Sequence, residues 1–436
     1  MPFGEVLSRD SIIRFLEEQK VVFRDRIFSP VVTLSAFIAQ VLSEDHSCAW
    51  AVAQVNAERI AQGKKPCSPD TGAYCQARQR LPNNLILQLL RETGAKLHQD
   101  TLSDWQWRGR RIILADGTTV SMPDTPENQA EFPQPASQTP GVGFPLARLV
   151  VLLSLVTGGV LDMAVGPNKG KKTGEHALFR QILDALKPGD ILIADRYYCS
   201  YFLLAILRQM GVDALFQVHA SRRVDFRRGR RLGKRDHIVE WDKPARPDWM
   251  DLDTYKAMPS KLPIRETRVG GLVLVSTFLD PKEVTREELG DLYKLRWTVE
   301  VGLKFIKEIM KMGVLRSLSP EMVKKEIGVH LLAYNLIRTV MAQAAEREGI
   351  APNTISFKGT LQQMDAFTDK IAHATGDGRA RLLDAMLQAI AYRRIGNRPG
   401  RAEPRVVKRR PKPYPRMNEP RAQARLSLKK YDVAAN

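Results

Sequence analysis

The sequence predicts an α/β protein, a mixed sheet bearing helices, with a helical segment before it and another after it. Three observations point there. Apolar residues recur at helical spacing over residues 1–105 and switch to short strand-like runs from Arg110. The runs come first in succession and then alternate with helices, which is the order of a mixed α/β layer. Two of them end in an acid, Asp116 and Asp195, and acids at the ends of neighbouring strands point into one crevice. A chain of 436 residues, 44% hydrophobic and 26% charged, can bury two or three cores.

The N-terminal segment reads as successive helices. SIIRFLEEQ has an apolar stripe, and PVVTLSAFIAQVL follows Ser29 as a cap with Pro30 in the first turn. SCAWAVAQVNAERIAQG ends on Gly63, a C-cap residue. After KKPC, SPDTGAYCQARQRL reads as a helix capped by Ser68 with Pro69 at its first position. Helix, short loop and helix, with Thr71, Tyr74, Arg78 and Arg80 on the second, fit a helix-turn-helix reader and a plain helical hairpin equally.

RRIILADGTTVSM reads as a strand, a tight turn at Asp116–Gly117 and a second strand. Residues 123–145 read as a loop, and ARLVVLLSLVTGGVLDMAVG as a buried hairpin. GEHALFRQILDALKPGD is an amphipathic helix, ILIADRYY a buried strand ending in acid, YFLLAILRQMG a helix closed by Gly211, and ALFQVHA another strand. Residues 222–289 open with the basic cluster RRVDFRRGRRLGKR and then carry IRETRV and LVLVSTFLD, which read as a small β insertion. KKEIGVHLLAYNLIRTVMAQAAE is a long apolar-faced helix. Residues 397–436 hold twelve Lys or Arg against three acids, with six prolines, and are expected to be disordered or to order only on binding.

DLYKLRWTVEVGLKFIKEIM, residues 291–310, reads as one helix with a peculiar polar face. At helical spacing Tyr293, Arg296, Glu300, Lys304 and Lys307 fall within an arc of roughly 80°. Leu292, Leu295, Val299, Leu303, Ile306 and Met310 form the adjoining apolar stripe. A solvated face usually mixes both signs of charge, whereas this file sets one carboxylate among cations.

The net charge of +19 and pI near 9.8 call for a polyanionic partner, nucleic acid first and an anionic membrane surface second. The most apolar run, from Leu146, contains Arg148 and Asp162 and a Gly-Gly turn, so it suits strands better than a membrane span. MPFGEVLSRDSIIRF lacks the charged-then-apolar order of a signal peptide, so a cytoplasmic protein is expected. Cys48, Cys67, Cys75 and Cys199 form no disulfide framework, and with His46 they lack zinc-ligand spacing. GPNKGKKTGE, residues 166–175, resembles a phosphate loop but breaks the G-x4-G-K-[ST] spacing. Glu175 and His176 at its end are candidates to support a metal site or to cap the next helix. His219 and His237 read as structural or surface groups.

Asp116, Asp195 and Glu300 make a set of three carboxylates without cysteine or histidine. That set favours hard cations such as Mg²⁺ or Mn²⁺. Two such ions would clamp the attacking and leaving oxygens of a phosphodiester displacement.

The pattern Y293-x2-R296-x3-E300-x6-K307 resembles the Y-R-E-K signature of the DDE transposases of bacterial insertion sequences, in the family named after insertion sequence four. D116-G-T-T-V-S-M-P-D-T-P-E-N, I-L-I-A-D195-R-Y-Y and H-L-L-A-Y-N-L-I-R also look like that family's motifs, in order over most of the chain. One departure is Tyr197, where glycine is common after D-R.

The resemblance implies an RNase H-like catalytic core over residues 106–221 and 290–345, interrupted by a β-rich insertion at 222–289. An N-terminal helical DNA-binding domain would span 1–105, a C-terminal helical segment 346–396 and a basic tail 397–436. Asp116, Asp195 and Glu300 would be catalytic and hold two Mg²⁺ ions, with Mn²⁺ able to substitute. Tyr293, Arg296, Lys304 and Lys307 would meet DNA near the cleavage point rather than pair with the glutamate. Trp297 is a candidate for stacking on an extruded base, although buried packing is its plainer role. Arg196, Arg227, Arg228, Arg230 and Arg231 are further candidates for DNA contact. The partners would be double-stranded DNA, as terminal inverted repeats and target, bound by a dimer on paired ends, with no membrane and with nucleoid association when bound. Rival readings are a nuclease of the same core without strand transfer and a DNA-binding relative with an inactive site.

Overall fold

The computed structural model describes residues 8–23, 26–99, 101–170, 173–396 and 417–434. Its centre is one nine-stranded sheet in the order β3-β2-β1-β4-β5-β9-β8-β7-β6. The strands are β1 (Ile112–Ser121), β2 (Leu146–Ser154), β3 (Val160–Pro167), β4 (Ile191–Ala194), β5 (Asp213–Gln217), β6 (Arg230–Gly233), β7 (Asp236–Asp242), β8 (Lys261–Val269) and β9 (Leu272–Ser276). β1, β2 and β3 form an antiparallel meander, while β4 and β5 add to β1 in parallel, an RNase H-like arrangement. The four strands from residues 230–276 extend the same sheet, with β9 antiparallel to β5.

Both faces of the core sheet are covered, which explains why its strands read as continuous apolar runs. Ile112, Leu114, Ile191, Ile193 and Leu215 pack on one face, against a core that includes Leu331 and Leu332. The alternate residues Ile113, Ala115, Leu192, Ala194 and Phe216 pack on the other face, against Phe179 and Leu204. A shift of one residue in any of these strands would exchange the two sets.

The N-terminal helices are α1 (Arg9–Glu18), α2 (Pro30–Leu42), α3 (Cys48–Ala61), α4 (Gly72–Arg80) and α5 (Asn83–Gln99). Ser29 caps α2 as expected, and Gly63 beyond α3 has φ +69°. The cap expected at Ser68 moves: α4 begins at Gly72, whose N–H donates to Asp70 Oδ1 at 2.6 Å. Of the two readings of this helix pair, α4 favours the plain hairpin at Tyr74 and Arg78. Tyr74 is fully buried with its hydroxyl donating to Gln40 at 2.8 Å, and Arg78 donates to Cys48 Sγ at 3.2 Å, so both serve the packing of α2, α3 and α4.

After β1 comes α6 (Pro126–Glu131), a short helix inside the expected loop. α7 (Glu175–Arg180) is only six residues, and a 3₁₀ turn at Leu183–Ala185 replaces the rest of the expected amphipathic helix. α8 (Tyr201–Gln209) is followed by Gly211 at φ +70°. α9 (Leu252–Ala257) lies between β7 and β8. The expected tight turn at Asp116–Gly117 is replaced by an unbroken strand whose residues pair with β2 throughout.

The expected single helix over 291–310 is three pieces: α10 (Arg286–Lys294), α11 (Trp297–Lys304) and a π-helical turn at Phe305–Ile309. Around Leu295 and Arg296 the backbone bonds are i→i+3, from Leu295 N to Leu292 O and from Arg296 N to Tyr293 O, which turns the chain between α10 and α11. Leu295 is consequently 42% exposed rather than part of the apolar stripe, while Leu292, Val299, Leu303, Ile306 and Met310 are buried.

The long α12 (Pro320–Arg347) is buried for most of its length. Its Asn335 locks α5 to β3: Oδ1 accepts from Val160 N at 2.7 Å, and Nδ2 donates to Val160 O at 2.8 Å and to Leu90 O at 3.3 Å. α13 (Phe357–His373) and α14 (Gly376–Tyr392) follow. Of the expected flexible tail, residues 397–416 lie outside the described residues, and Arg421–Ala434 forms a helix, α15.

Candidate active site

β1 outruns β4. The two strands pair in parallel only from Ile112–Ile191 to Leu114–Ile193, so continuing that register sets Asp116 level with Asp195 just past the end of β4. Asp195 follows the last residue of β4, and Asp116 stands on β1 where its ladder with β4 has ended. Asp116 Oδ1 accepts the N–H of Gly117 at 2.8 Å, and Asp195 Oδ1 accepts that of Tyr197 at 2.8 Å, which orients each carboxylate. Burial pushes the Asp116 carboxyl up to about 7, with Glu175 and Asp195 adding to the rise and Gly117 and Arg296 opposing it.

Glu300 lies on α11, which packs on β1. It does not stand free among cations. Arg296 Nη2 donates to Glu300 Oε1 at 2.7 Å, so the expectation that Arg296 would leave the glutamate unpaired is corrected. Arg296 is held above its ordinary value: burial works against this, and the bond to Glu300 with the charges of Tyr293, Glu300 and Asp116 outweighs it. This one guanidinium therefore bears on two of the three predicted acids.

The other members of the file separate. Tyr293 is buried at 5% exposure, and burial pushes its hydroxyl up to about 12, with Asp195 contributing. Lys307 Nζ donates to Thr118 Oγ1 at 3.0 Å, two residues along β1 from Asp116. The π-turn sets that reach, since Gly313 N donates to Lys307 O and Met310 N to Phe305 O. Lys304 is exposed and lies 3.8 Å from Glu308. Trp297 is 51% exposed, which removes buried packing as its role. Arg196 is exposed in the turn after β4.

The basic cluster is elsewhere. Arg230 and Arg231 lie on β6, the last strand of the sheet, five strands from β4 and so roughly 24 Å away at the usual strand spacing. Arg227 and Arg228 both pair with Asp225, at 2.9 and 3.6 Å. His237 is buried between Arg228 O and Glu266, a structural role as expected. In the 166–175 loop, Lys171 and Lys172 lie outside the described residues.

Comparison with known proteins decides the family. The family described as Transposase DDE domain matches residues 107–336, which hold all three predicted acids. The chain is 30% identical to the transposase InsG for insertion sequence element IS4 of Escherichia coli (strain K12) over 349 residues, 79% of this chain and 77% of that one. This chain is a DDE transposase of the IS4 type. It is therefore an enzyme of DNA transposition in a family that uses divalent metal ions. It is also 33% identical over 111 residues to the transposase for insertion sequence element IS421 of Escherichia coli, covering 22% of this chain and 30% of that one. Among solved structures, the piggyBac transposase in a synaptic complex with hairpin DNA is similar at TM-score 0.44 and 10% identity, over 92% of this chain and 86% of that one.

The donor set of this DDE transposase suits a hard cation in chemistry, because the groups gathered at the end of β1 are carboxylates. Among the described residues, no three His, Cys, Asp or Glu side chains stand at metal-holding separations. Glu300 is engaged by Arg296 instead. Besides Asp195, the acid whose charge acts on Asp116 is Glu175, at the start of α7, to which Tyr198 donates a hydrogen bond at 2.7 Å. Sequence reasoning noted Glu175 without deciding its role and missed Tyr198, whose only signal was its place three residues after Asp195.

Proposed function

We propose that Asp116, Asp195 and Glu300 are the catalytic acids of this transposase, and that they hold two Mg²⁺ ions, for which Mn²⁺ substitutes. What supports the reading is the level placement of Asp116 and Asp195 on neighbouring parallel strands, with Glu300 on the helix packed over β1. When bound, the cations supply Lewis-acid stabilisation to the attacking and leaving oxygens of the phosphodiester. The chain's own residues hold the strand in place for this. Lys307, anchored at Thr118, and Arg296 offer cationic donors beside the scissile phosphate, the usual way in which a protein fixes a strand without reading its sequence. With Glu300 as a metal ligand, Arg296 would be free to turn from its carboxylate toward phosphate.

Water then attacks the phosphodiester at an end of the element, loses a proton and displaces the 3′ oxygen, which takes one up; that 3′-hydroxyl in turn gives up its proton and attacks a target phosphodiester, whose own 3′ oxygen leaves protonated. The DNA partners are terminal inverted repeats and target DNA, engaged by a dimer on paired ends. The N-terminal helical segment, residues 1–105, serves as the end-binding domain, and Arg196, Lys304, Trp297 and the edge cations Arg227, Arg228, Arg230 and Arg231 add outer contacts. The exposed indole of Trp297 favours stacking on a base. The protein works in the cytoplasm and on the nucleoid.

Asp116→Asn, Asp195→Asn and Glu300→Gln should each abolish Mg²⁺-dependent strand cleavage and leave binding of a terminal repeat within a few-fold of wild type. An acid whose amide variant cleaves normally loses its assignment. A donor with two ends and a target plasmid, assayed for joined product, separates transposition from simple nuclease action.

A further inference from the structure

Asp195 is followed by two exposed residues, Arg196 and Tyr197. We infer that Tyr197 is a stacking platform for an unpaired nucleotide next to the scissile phosphate, and that Arg180 and Arg196 take the phosphates on either side of it. This rests on the reading of Asp195 as part of the cleavage site and deepens it.

The first support is the way the ring is held. Tyr197 is 44% exposed, whereas Tyr198 beside it is fully buried, so the core has no use for the first ring. Its backbone is fixed at both ends: the N–H donates to Asp195 Oδ1 at 2.8 Å, and the carbonyl accepts from His176 Nε2. The imidazole of His176 also lies against the ring, with centroids 4.7 Å apart and planes at 45°. A ring braced in this way loses little freedom when a base covers its open surface.

The second is its place on the sheet. A Cβ placed on Gly174, just before α7, would stand 3.9 Å from the Tyr197 hydroxyl, so the ring lies over the start of that helix. Leu178 and Phe179 of α7 pack into the core on one face of the sheet, and Val299 and Leu303 of α11 into the core on the other. Tyr197 and Glu300 therefore flank the end of β4 from opposite sides. A strand laid across that end meets Arg296 and Lys307 on one side and Tyr197 on the other.

The third is the pair of cations. His176 and Arg180 are four residues apart on α7 and so neighbours on one face of it. The Arg180 guanidinium lies 3.9 Å from the centre of the exposed Trp249 ring. Burial holds it below its ordinary value, and no carboxylate offsets this. A half-buried guanidinium without an acid is completed by a phosphate. Arg196 is exposed and makes no ion pair among the described residues. An aromatic ring between two such cations is the arrangement by which proteins hold single strands without reading their sequence.

The test is binding of the full chain, in chelator, to a terminal repeat that carries one unpaired 2-aminopurine next to the cleavage position. Wild type and Tyr197→Phe should quench its fluorescence by stacking. Tyr197→Ala should leave it bright and bind this DNA between about fivefold and about a hundredfold more weakly, with the fully paired repeat bound as before. Arg180→Ala and Arg196→Ala should each lower the salt slope of log K for the unpaired probe by about 0.7. Melting temperatures should stay near wild type for Tyr197→Ala, whose ring fills no core. Full quenching by Tyr197→Ala overturns the inference, and so does an equal loss of affinity for paired and unpaired DNA, which would make the ring a scaffold. Full quenching together with a change of oligomeric state on sedimentation would make it a protein contact and overturns it too. Cleavage by Asp195→Asn in Mg²⁺ tests the site separately: if that variant cuts normally while Tyr197 still governs quenching, the site reading fails and the platform stands.

Discussion

Arg296 and Glu300 are one helical turn apart and joined by a 2.7 Å hydrogen bond, and the same guanidinium acts on Asp116 across β1. On the proposed metal reading, this guanidinium offsets acidic charge that bound cations would otherwise neutralise. Its bond to Glu300 competes with the proposed metal for that carboxylate.

Arg296→Ala should therefore have two effects of opposite sign. Mn²⁺ binding in the absence of DNA should tighten, because Glu300 no longer has to be taken from a guanidinium. Strand cleavage should fall by about a hundredfold, the scale of a misplaced reacting group. The loss of stability should stay small, about 0.5 kcal/mol for an i,i+4 pair of this kind. Weaker Mn²⁺ binding in the variant would mean that Arg296 orients Glu300 for the metal instead of competing for it.

The break between α10 and α11 separates two leucines that one helix would have placed on the same stripe. Leu303 is 5% exposed and Leu295 is 42% exposed. Leu303→Ala should cost about 2–5 kcal/mol through a core cavity. Leu295→Ala, at a turn facing solvent, should change stability by about 0.5 kcal/mol or less. Thermal melts of the two variants check this, and equal losses would argue for a continuous helix.

That pair of leucines marks where the sequence was legible and where it was not. The strands announced themselves because they are buried on both faces, and the acids at Asp116 and Asp195 stood out as polar ends to apolar runs. The break at Leu295 and Arg296 has no proline or glycine to signal it, and it is made by i→i+3 backbone bonds that no periodicity reveals. Reading Asp116–Gly117 as a turn failed for a related reason. Asp-Gly is turn chemistry along the chain, whereas in the strand Gly117 makes room for Glu175. On α4 the polar residues suggested a DNA-reading face, yet Tyr74 and Arg78 bond to Gln40 and Cys48 inside the helical domain. Long-range partners of this sort decide which polar residues are free, and spacing along one chain cannot supply them.

The edge strand β6 gives a test of DNA affinity separate from chemistry. Arg230 and Arg231 are exposed there, while Arg227 and Arg228 are partly neutralised by Asp225. Replacing Arg230 and Arg231 together by Ala should weaken binding of all DNA sequences alike and lower the salt slope of log K by about 0.9 for each phosphate that is no longer neutralised. Metal binding should be unchanged. A salt slope equal to wild type would remove this edge from the DNA path.

The pH dependence of the metal-free protein should report on Asp116 directly. Its folded-state carboxyl is pushed up to about 7 by burial, then by Glu175 and Asp195, against the opposing effects of Gly117 N–H and Arg296. An unfolded aspartate titrates near 3.9, roughly three units lower. Between those values the folded protein holds a proton that the unfolded chain has lost. Stability from this group therefore falls as pH rises from about 4 to about 7, and the loss stays constant above that. Glu175, raised by burial first and by Asp195, acts in the same direction at the acid end. Asp116→Asn carries no charge to penalise. In chelator it should melt above wild type at pH 8, and the difference should close by pH 4. Adding Mg²⁺ should raise the wild-type melting temperature more at pH 8 than at pH 6, because the ion must displace the proton on Asp116. Asp116→Asn should show little of that gain. Melting curves that run parallel for the two proteins from pH 4 to pH 8 would mean that Asp116 is solvated and ionised throughout, and the crevice at the end of β1 would then lack the desolvation that makes it a site for cations.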